Sequence, residues 1–407
     1  LAFVRFYTLF GLFLFVPSLP ALTLAEALSE ALANHPLLAV QGNRIESAAG
    51  KRQQAGLRPN PLFVYQTEDF RVWQSPGHRF WQDADHFLYL QQTFETAAKR
   101  ARRVELAQAN EKRAEIELLQ QKQVIAARVR AAFWDAAAAA ARQQLYQESL
   151  AQLDTIVTYH RDQVREGAMA EADLLRVELE EQKLQLLLQT ATLDAQRQAI
   201  RLQREMGRAS FAPIRIEASL ESPAPALPDT SFGFVESHRA EALLARQLIQ
   251  LAGAQLQLET ALATPNVDGV AGYKRSRNFD SVIWGVQATL PINNRNQGNI
   301  ASAAAEQRLA RNALGSTLAL LSAELAAALQ EVDLRRQQLT STAQPLRDRA
   351  LQLSDLARAA YRLGGADLLR LLDAQRNLLE SQQTWLDALA GLRQAEANLE
   401  SVLGILP

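Results

Sequence analysis

Over residues 368–392 leucine returns at three-to-four spacing: Leu368, Leu371, Leu372, Leu378, Leu379, Leu386, Leu389 and Leu392. Polar residues fill the gaps. That period predicts a helix with one packing stripe and one solvated face. Near residues 267–290 the pattern changes. Val267, Gly269, Ala271 and Tyr273 alternate with Asp268, Val270, Gly272 and Lys274. Val282, Trp284, Val286, Ala288 and Leu290 alternate with Ile283, Gly285, Gln287 and Thr289. A period of two predicts strands, placed at 267–274 and 282–290. A second pair is placed at 62–70 and 87–95, flanking a polar loop that contains Pro76 and Gly77. Strands of about nine residues can cross a bilayer when tilted. Such alternation suits a barrel with lipid outside and water inside. Taken alone, it suits a half-buried hairpin of a soluble domain as well.

Helical stretches of unusual length follow each strand pair. Residues 98–166 contain neither glycine nor proline, and a helix of that length would extend about 100 Å. A return helix is expected over 168–206. The second copy is expected over 299–363, interrupted at Gly315 and Pro345, with its return over 365–403. Shorter helices are expected before the strands, at 24–57 and 231–263, ended by Pro59 and Pro61 and by Pro265.

These elements form two copies of one plan. Gly167 answers Gly364, Leu174-Leu175 answers Leu371-Leu372, and Gly207 answers Gly404, each pair offset by 197 residues. Arg58-Pro59-Asn60 answers Thr264-Pro265-Asn266 more weakly. The reading is a first repeat over 22–210, a linker over 211–230 and a second repeat over 231–407. Each repeat runs helix, strand, strand, long helix, helix, so the fold class is α/β, mainly α.

Composition narrows the function classes. The chain of 407 residues carries 43 basic and 44 acidic residues, a net charge of -1, so there is no basic excess for nucleic acid. It has no cysteine, which excludes disulfides, thiol catalysis and thiolate metal sites; no lipid on an N-terminal cysteine is expected. A mean hydropathy of -0.15 argues against a bundle of membrane helices. At the N-terminus, Arg5 precedes an apolar run over 6–16 and then Pro17-Ser18-Leu19-Pro20-Ala21. This order predicts a secretory signal over 1–21; the alternative is a buried helix.

Counting strands then constrains the assembly. Four strands cannot close a membrane barrel, whose smallest examples have about eight. Open edges cannot sit in lipid. If these strands enter a membrane, several chains share one barrel, and three chains would supply about twelve strands.

Several segments resemble the TolC family of outer-membrane efflux proteins across nearly all of the chain after the signal. They are Leu22-Thr23-Leu24-Ala25-Glu26-Ala27-Leu28 with Asn34-His35-Pro36, Ala55-Gly56-Leu57-Arg58-Pro59-Asn60-Pro61, and Phe94-Glu95-Thr96-Ala97-Ala98-Lys99-Arg100. Family members often have two glycines where this chain has Ala97-Ala98. Leu290-Pro291-Ile292-Asn293-Asn294-Arg295-Asn296-Gln297-Gly298 resembles the second strand-to-helix junction, and Tyr361-Arg362-Leu363-Gly364-Gly365 with Leu371-Leu372-Asp373-Ala374-Gln375-Arg376 the second helical turn. The N-terminal segment and the Asn-Arg-Asn-Gln-Gly junction are most similar to the CzcC-type branch of heavy-metal cation efflux. The resemblance implies a homotrimer with a twelve-stranded outer-membrane β-barrel continued by a periplasmic α-helical coiled-coil tunnel. It implies a periplasmic adaptor (membrane fusion) protein and an inner-membrane RND pump as partners, with outer-membrane lipid around the barrel. It implies no chemistry and no cofactor.

Candidate residues gather at the helical turns. Gly167 and Gly364 are suited to tight reversals. The resemblance adds docking of the adaptor there, beside Arg165, Leu363 and Gly365. Asp373 would form a ring of carboxylates at the pore entrance, and such rings favour cations; a solvated helix position is the alternative. Arg370 would add a basic ring, with Asp367 and Tyr361 as lesser entrance candidates. Opening would break such contacts as one hairpin moves. His78 and His86, with Asp83 and Asp85, could bind a divalent metal or belong to a mobile polar loop. His35, His160 and His238 are isolated, and no catalytic motif stands out. The alanines of 136–141 read as close helix packing. The rival functions are a drug-export or type I secretion duct and a secreted coiled-coil protein without a pore.

Overall fold

The computed structural model describes residues 21–71, 73, 76–222, 227, 229–277 and 279–407. Apart from Ala21, the expected signal lies outside them. The first half runs β1 (Ala21–Leu22), α1 (Leu24–Asn34), α2 (Pro36–Ala55), β2 (Leu62–Glu68), α3 (Phe80–Asp83), β3 (Asp85–Phe94), α4 (Lys99–Arg165) and α5 (Glu171–Glu205). After β4 (Arg215–Ile216) the order recurs as α6 (Phe232–His238), α7 (Ala240–Leu262), β5 (Val267–Ser276), β6 (Phe279–Ala288), α8 (Gln297–Gln338), a π-helical turn (Leu339–Ala343), α9 (Gln344–Arg362) and α10 (Leu368–Val402).

Local chemistry sets the boundaries. Thr23 and Glu26 cap α1 reciprocally, each side chain accepting the other's backbone amide. The single helix expected at 24–57 is two, because Pro36 starts α2 and His35 Nδ1 accepts from the Leu37 amide at 3.2 Å. The helix expected at 231–263 divides likewise at Arg239. Gly315 does not interrupt α8: it lies on an open surface, where a glycine only weakens a helix. Pro345 does mark an irregularity. It lacks an amide hydrogen, and the π turn before it is braced by Thr340 and Ser341 hydroxyls donating to Arg336 O and Gln337 O at 2.9 and 2.6 Å.

The helices form a long layer. Toward the sheet α4 packs against α2 and α7, and α7 against α8; at the far end α4 packs against α5 and α10, and α10 against α9. The rows meet end to end. Gly207 ends the α5 row at a left-handed φ of 81°, and a Cβ there would lie 2.8 Å from Pro36 and 2.9 Å from His35. Gly404 ends the α10 row at φ 74°, where Gln123 Nε2 donates to Gly404 O and His238 O at 2.9 and 2.8 Å. Two apolar cores lie around these meeting points. One joins α1 to Ile125, Val129, Phe133 and Leu202; the other joins α8 to Leu386, Leu389 and Leu399. Ala136, Ala137, Ala138 and Ala139 are buried between them, as close packing requires.

Candidate functional site

The side chains of functional interest lie in three regions: the sheet, the junctions and the far helical turns. The sheet order is β2-β3-β5-β6, antiparallel throughout, so the copies join at β3–β5. Register sorts the side chains. One face carries Phe63, Tyr65, Leu88, Leu90, Phe94, Ala271, Tyr273, Val282, Trp284 and Val286. The other carries Val64, Gln66, Glu68, Tyr89, Gln91, Thr93, Asp268, Gly272, Lys274, Ile283 and Gln287. Apart from Gln92 and, at the loop end, Thr67, His86, Arg275 and Asp280, the first face is apolar, and it is uncovered: Val282 is 81% exposed and Trp284 82%. β2 and β6 are open edges. Gly272 sits under Tyr89, whose Cβ and the Leu88 carbonyl would lie 2.3 Å from any added Cβ.

At the loop end of the apolar face, His86 is buried beside Phe80, Trp81 and Tyr65. Its Nε2 faces Phe80 O at 2.9 Å, which can only accept, so Nε2 carries the hydrogen and Nδ1 accepts from the Tyr65 hydroxyl at 3.0 Å. With both nitrogens engaged, His86 is a packing residue. No metal-binding cluster occurs among the described residues.

The strand-to-helix junctions are held by polar bonds, two of them between the copies. Thr96 Oγ1 donates to Pro265 O at 2.5 Å, Lys99 Nζ to Asn266 Oδ1, and Arg103 pairs with Glu95. Ala97 and Ala98 are left-handed, with φ of 52° and 56°. Asn296 takes this conformation in the second junction, φ 59°, and its amide donates to Glu259 O and Oε2 at 2.8 and 2.7 Å.

The far turns match each other. At Gly167, φ 74°, Gly167 N bonds Val164 O at 3.0 Å and Ala168 N bonds Gln163 O at 2.9 Å. At Gly364, φ 72°, Gly364 N bonds Tyr361 O at 3.1 Å and Gly365 N bonds Ala360 O at 2.8 Å. These are Schellman turns, which glycine permits. Beside them Arg165 is exposed, 3.4 Å from Asp162, and Leu363 is 87% exposed.

A polar link ties the two turns together. His160 is fully buried, its Nδ1 2.8 Å from Ile156 O and its Nε2 2.8 Å from the Tyr361 hydroxyl. The carbonyl fixes the hydrogen on Nδ1, so Nε2 accepts from Tyr361. Burial raises the Tyr361 phenol above its ordinary value, helped by Tyr159 and Asp173, which keeps the donor protonated. Val157, Val177, Leu368 and Leu372 pack around the pair.

The other entrance candidates divide. Asp367 caps α10, accepting the Arg370 amide at 2.9 Å. Arg370 is exposed. Asp373 is exposed and lies 3.8 Å from Arg376, which reaches Glu180 on α5 at 2.9 Å. Sequence reasoning missed His160, whose link spans 201 positions, and the junction set of Glu95, Lys99 and Arg103.

Comparison with known proteins places this geometry. The family model described as outer membrane efflux protein matches residues 27–208 and 236–405. The cobalt-zinc-cadmium resistance protein CzcC of Cupriavidus metallidurans is 26% identical over 392 residues, covering 94% of this chain and 90% of that one. The nickel-cobalt-cadmium resistance protein NccC of Alcaligenes xylosoxydans xylosoxydans is 28% identical, covering 70% of this chain and 63% of its own length. In fold, the chain is similar to the open-state MtrE outer membrane channel of Neisseria gonorrhoeae, with a TM-score of 0.77, 17% identity, and 94% and 88% of the two chains covered.

Proposed function

This chain belongs to the outer membrane efflux protein family, and on that footing we propose that it is the exit duct of a tripartite system exporting heavy-metal cations. The sheet carries the reading: one face largely apolar and uncovered, the other mixed, both edges open. Open edges in lipid leave backbone groups unpaired at several kcal/mol each. Pairing β2 of one chain with β6 of the next removes every edge, and three chains give a barrel of about twelve strands. The apolar face then meets lipid and the mixed face lines water.

The helical layer has matching open sides. Leu175, Leu179 and Leu186 on α5 and Leu353 and Leu356 on α9 are exposed in the single chain. The α8–α9 run holds an apolar stretch that is mostly uncovered in the single chain. Packing these sides together continues the barrel as a periplasmic tunnel built from the repeats at 22–210 and 231–407. The turns at Gly167 and Gly364, with Arg165, Leu363 and Gly365, then dock a periplasmic adaptor bound to an inner-membrane RND pump. Asp373 and Arg370 stand near the tunnel entrance, and the His160–Tyr361 link holds the hairpins together there. The duct performs no chemistry.

Cargo follows from the relatives named for resistance to cobalt and cadmium, with zinc or nickel. Cells lacking the chain should accumulate these ions, and re-expression should reverse this. Asp373→Ala should change the cation selectivity or conductance of the purified channel in planar bilayers. Unchanged metal content with retained drugs would move the cargo to drug export; a protein that is monomeric, water-soluble and without conductance would end the duct reading.

A further inference from the structure

Three carboxylates stand on the mixed face of the sheet: Glu68, Asp85 and Asp268. Two lie at the loop end. Asp85 is matched by Lys274 at 3.6 Å and accepts from Ser276 at 2.6 Å, while Glu68 accepts from Gln66 at 3.0 Å. Asp268 lies at the helix end, and its situation differs. Its side chain accepts one bond, from the Thr93 hydroxyl at 2.5 Å, which also verifies that the two residues share a face. No lysine or arginine among the described residues forms an ion pair with it. Lys99 donates to Asn266 and Arg103 pairs with Glu95. Between Asp268 and Lys274 the mixed face of β5 carries only Val270 and Gly272.

We propose that Asp268 is a selectivity-determining residue of the channel, setting a preference for cations where the helical tunnel opens into the barrel. The proposal rests on the duct reading, because ring closure is what turns the mixed face inward. Closure brings three copies of Asp268 around one water-filled bore. Rings of carboxylates favour cations and oppose anions. No basic side chain of the described residues pairs with this carboxylate, and Thr93 fixes its direction. The ring lies at the opposite end of the tunnel from Asp373, so the duct has two separate cation filters in series.

The test is the reversal potential of the purified channel in planar bilayers under asymmetric KCl. Asp268→Asn keeps a partner for Thr93 and removes the charge; the cation-to-anion permeability ratio should fall about two- to threefold, and Asp268→Lys should lower it further. Asp280→Asn changes a carboxylate of the same β5–β6 hairpin on the opposite face, and should leave the ratio unchanged. Each variant is also read in an Asp373→Ala background, so that the entrance cannot mask the barrel. Because the chain has no cysteine, Asp268→Cys adds a single thiol. A sulfonate-bearing thiol reagent should then restore the cation preference and an ammonium-bearing one reduce it. An unchanged ratio for Asp268→Asn and Asp268→Lys in both backgrounds, with no response of the Asp268→Cys thiol to reagent charge, overturns the proposal and leaves the duct reading standing. Absence of conductance in the unaltered protein would instead remove the duct reading itself.

Discussion

The two hairpins end in the same way and are built differently. Gly167 and Gly364 close matching turns, and Gly207 and Gly404 end matching return helices. Yet α4 runs 67 residues without a break, while its counterpart is divided by a π turn and Pro345. The first junction bends through two left-handed alanines; the second bends through an asparagine bonded to Glu259. Positions that need positive φ or a sharp reversal are repeated, because few backbone solutions exist there. The bracing contacts around them are free to diverge. The divergence leaves the first hairpin a stiff strut and gives the second a point of irregularity.

The most damaging change should be at the seam joining the copies. Gly272→Ala places a methyl group against Leu88 O and Tyr89 and should cost about 3 kcal/mol, read as loss of the heat-modifiable oligomer on gels. Gly285→Ala, in open space one strand away, should leave the oligomer intact. If both behave alike, the seam is no tighter than the edge strand. Next, Tyr361→Phe removes the donor to buried His160 and should cost about 1–2 kcal/mol, with faster amide exchange across both turns and higher conductance. An unchanged exchange pattern would mean that apolar packing alone holds the hairpins together.

A smaller effect separates the junctions by sign. Ala98→Gly relieves a left-handed alanine and should raise stability by about 0.5–1 kcal/mol. Asn296→Gly loses two bonds to Glu259 and should lower it. Equal signs in thermal unfolding would show the junctions to be equivalent. The smallest effect concerns Arg208, which follows Gly207 and pairs bidentately with Glu30 at 2.6 Å, whereas uncharged Ile405 follows Gly404. The Arg208 hydrogen bonds hold the Glu30 carboxyl below its ordinary value. That stability is therefore present above the unfolded glutamate pKa and is lost as pH falls through the lower folded one. At a partly exposed site it amounts to less than about 1 kcal/mol. Glu30→Gln should flatten this part of the acid unfolding curve.

The long helices could be read from missing glycine and proline, and the repeat from glycines whose φ the turns dictate. The break at Arg239 could not, since no proline marks it. It is imposed by Gln123, which bonds the Ala240 amide and the His238 and Gly404 carbonyls from another helix. At the turns, the capping role of Asp367 was open to sequence reasoning: an aspartate stands immediately before an apolar helical run, three residues from Arg370. The His160–Tyr361 link was not, because no local pattern joins residues that meet only through the packing of two hairpins.

The placement of the open strands has a further consequence. β2 belongs to the first copy and β6 to the second, so the two free edges of the sheet are unlike surfaces. In the proposed ring, contacts between chains are therefore head-to-tail, and an incomplete ring would expose one edge of each kind. A chain with a proline in the middle of β6 could still offer β2 to its neighbour but could not pass the pairing on. One such copy would terminate the ring it joined, and a minority of defective chains would poison the assembly of sound ones.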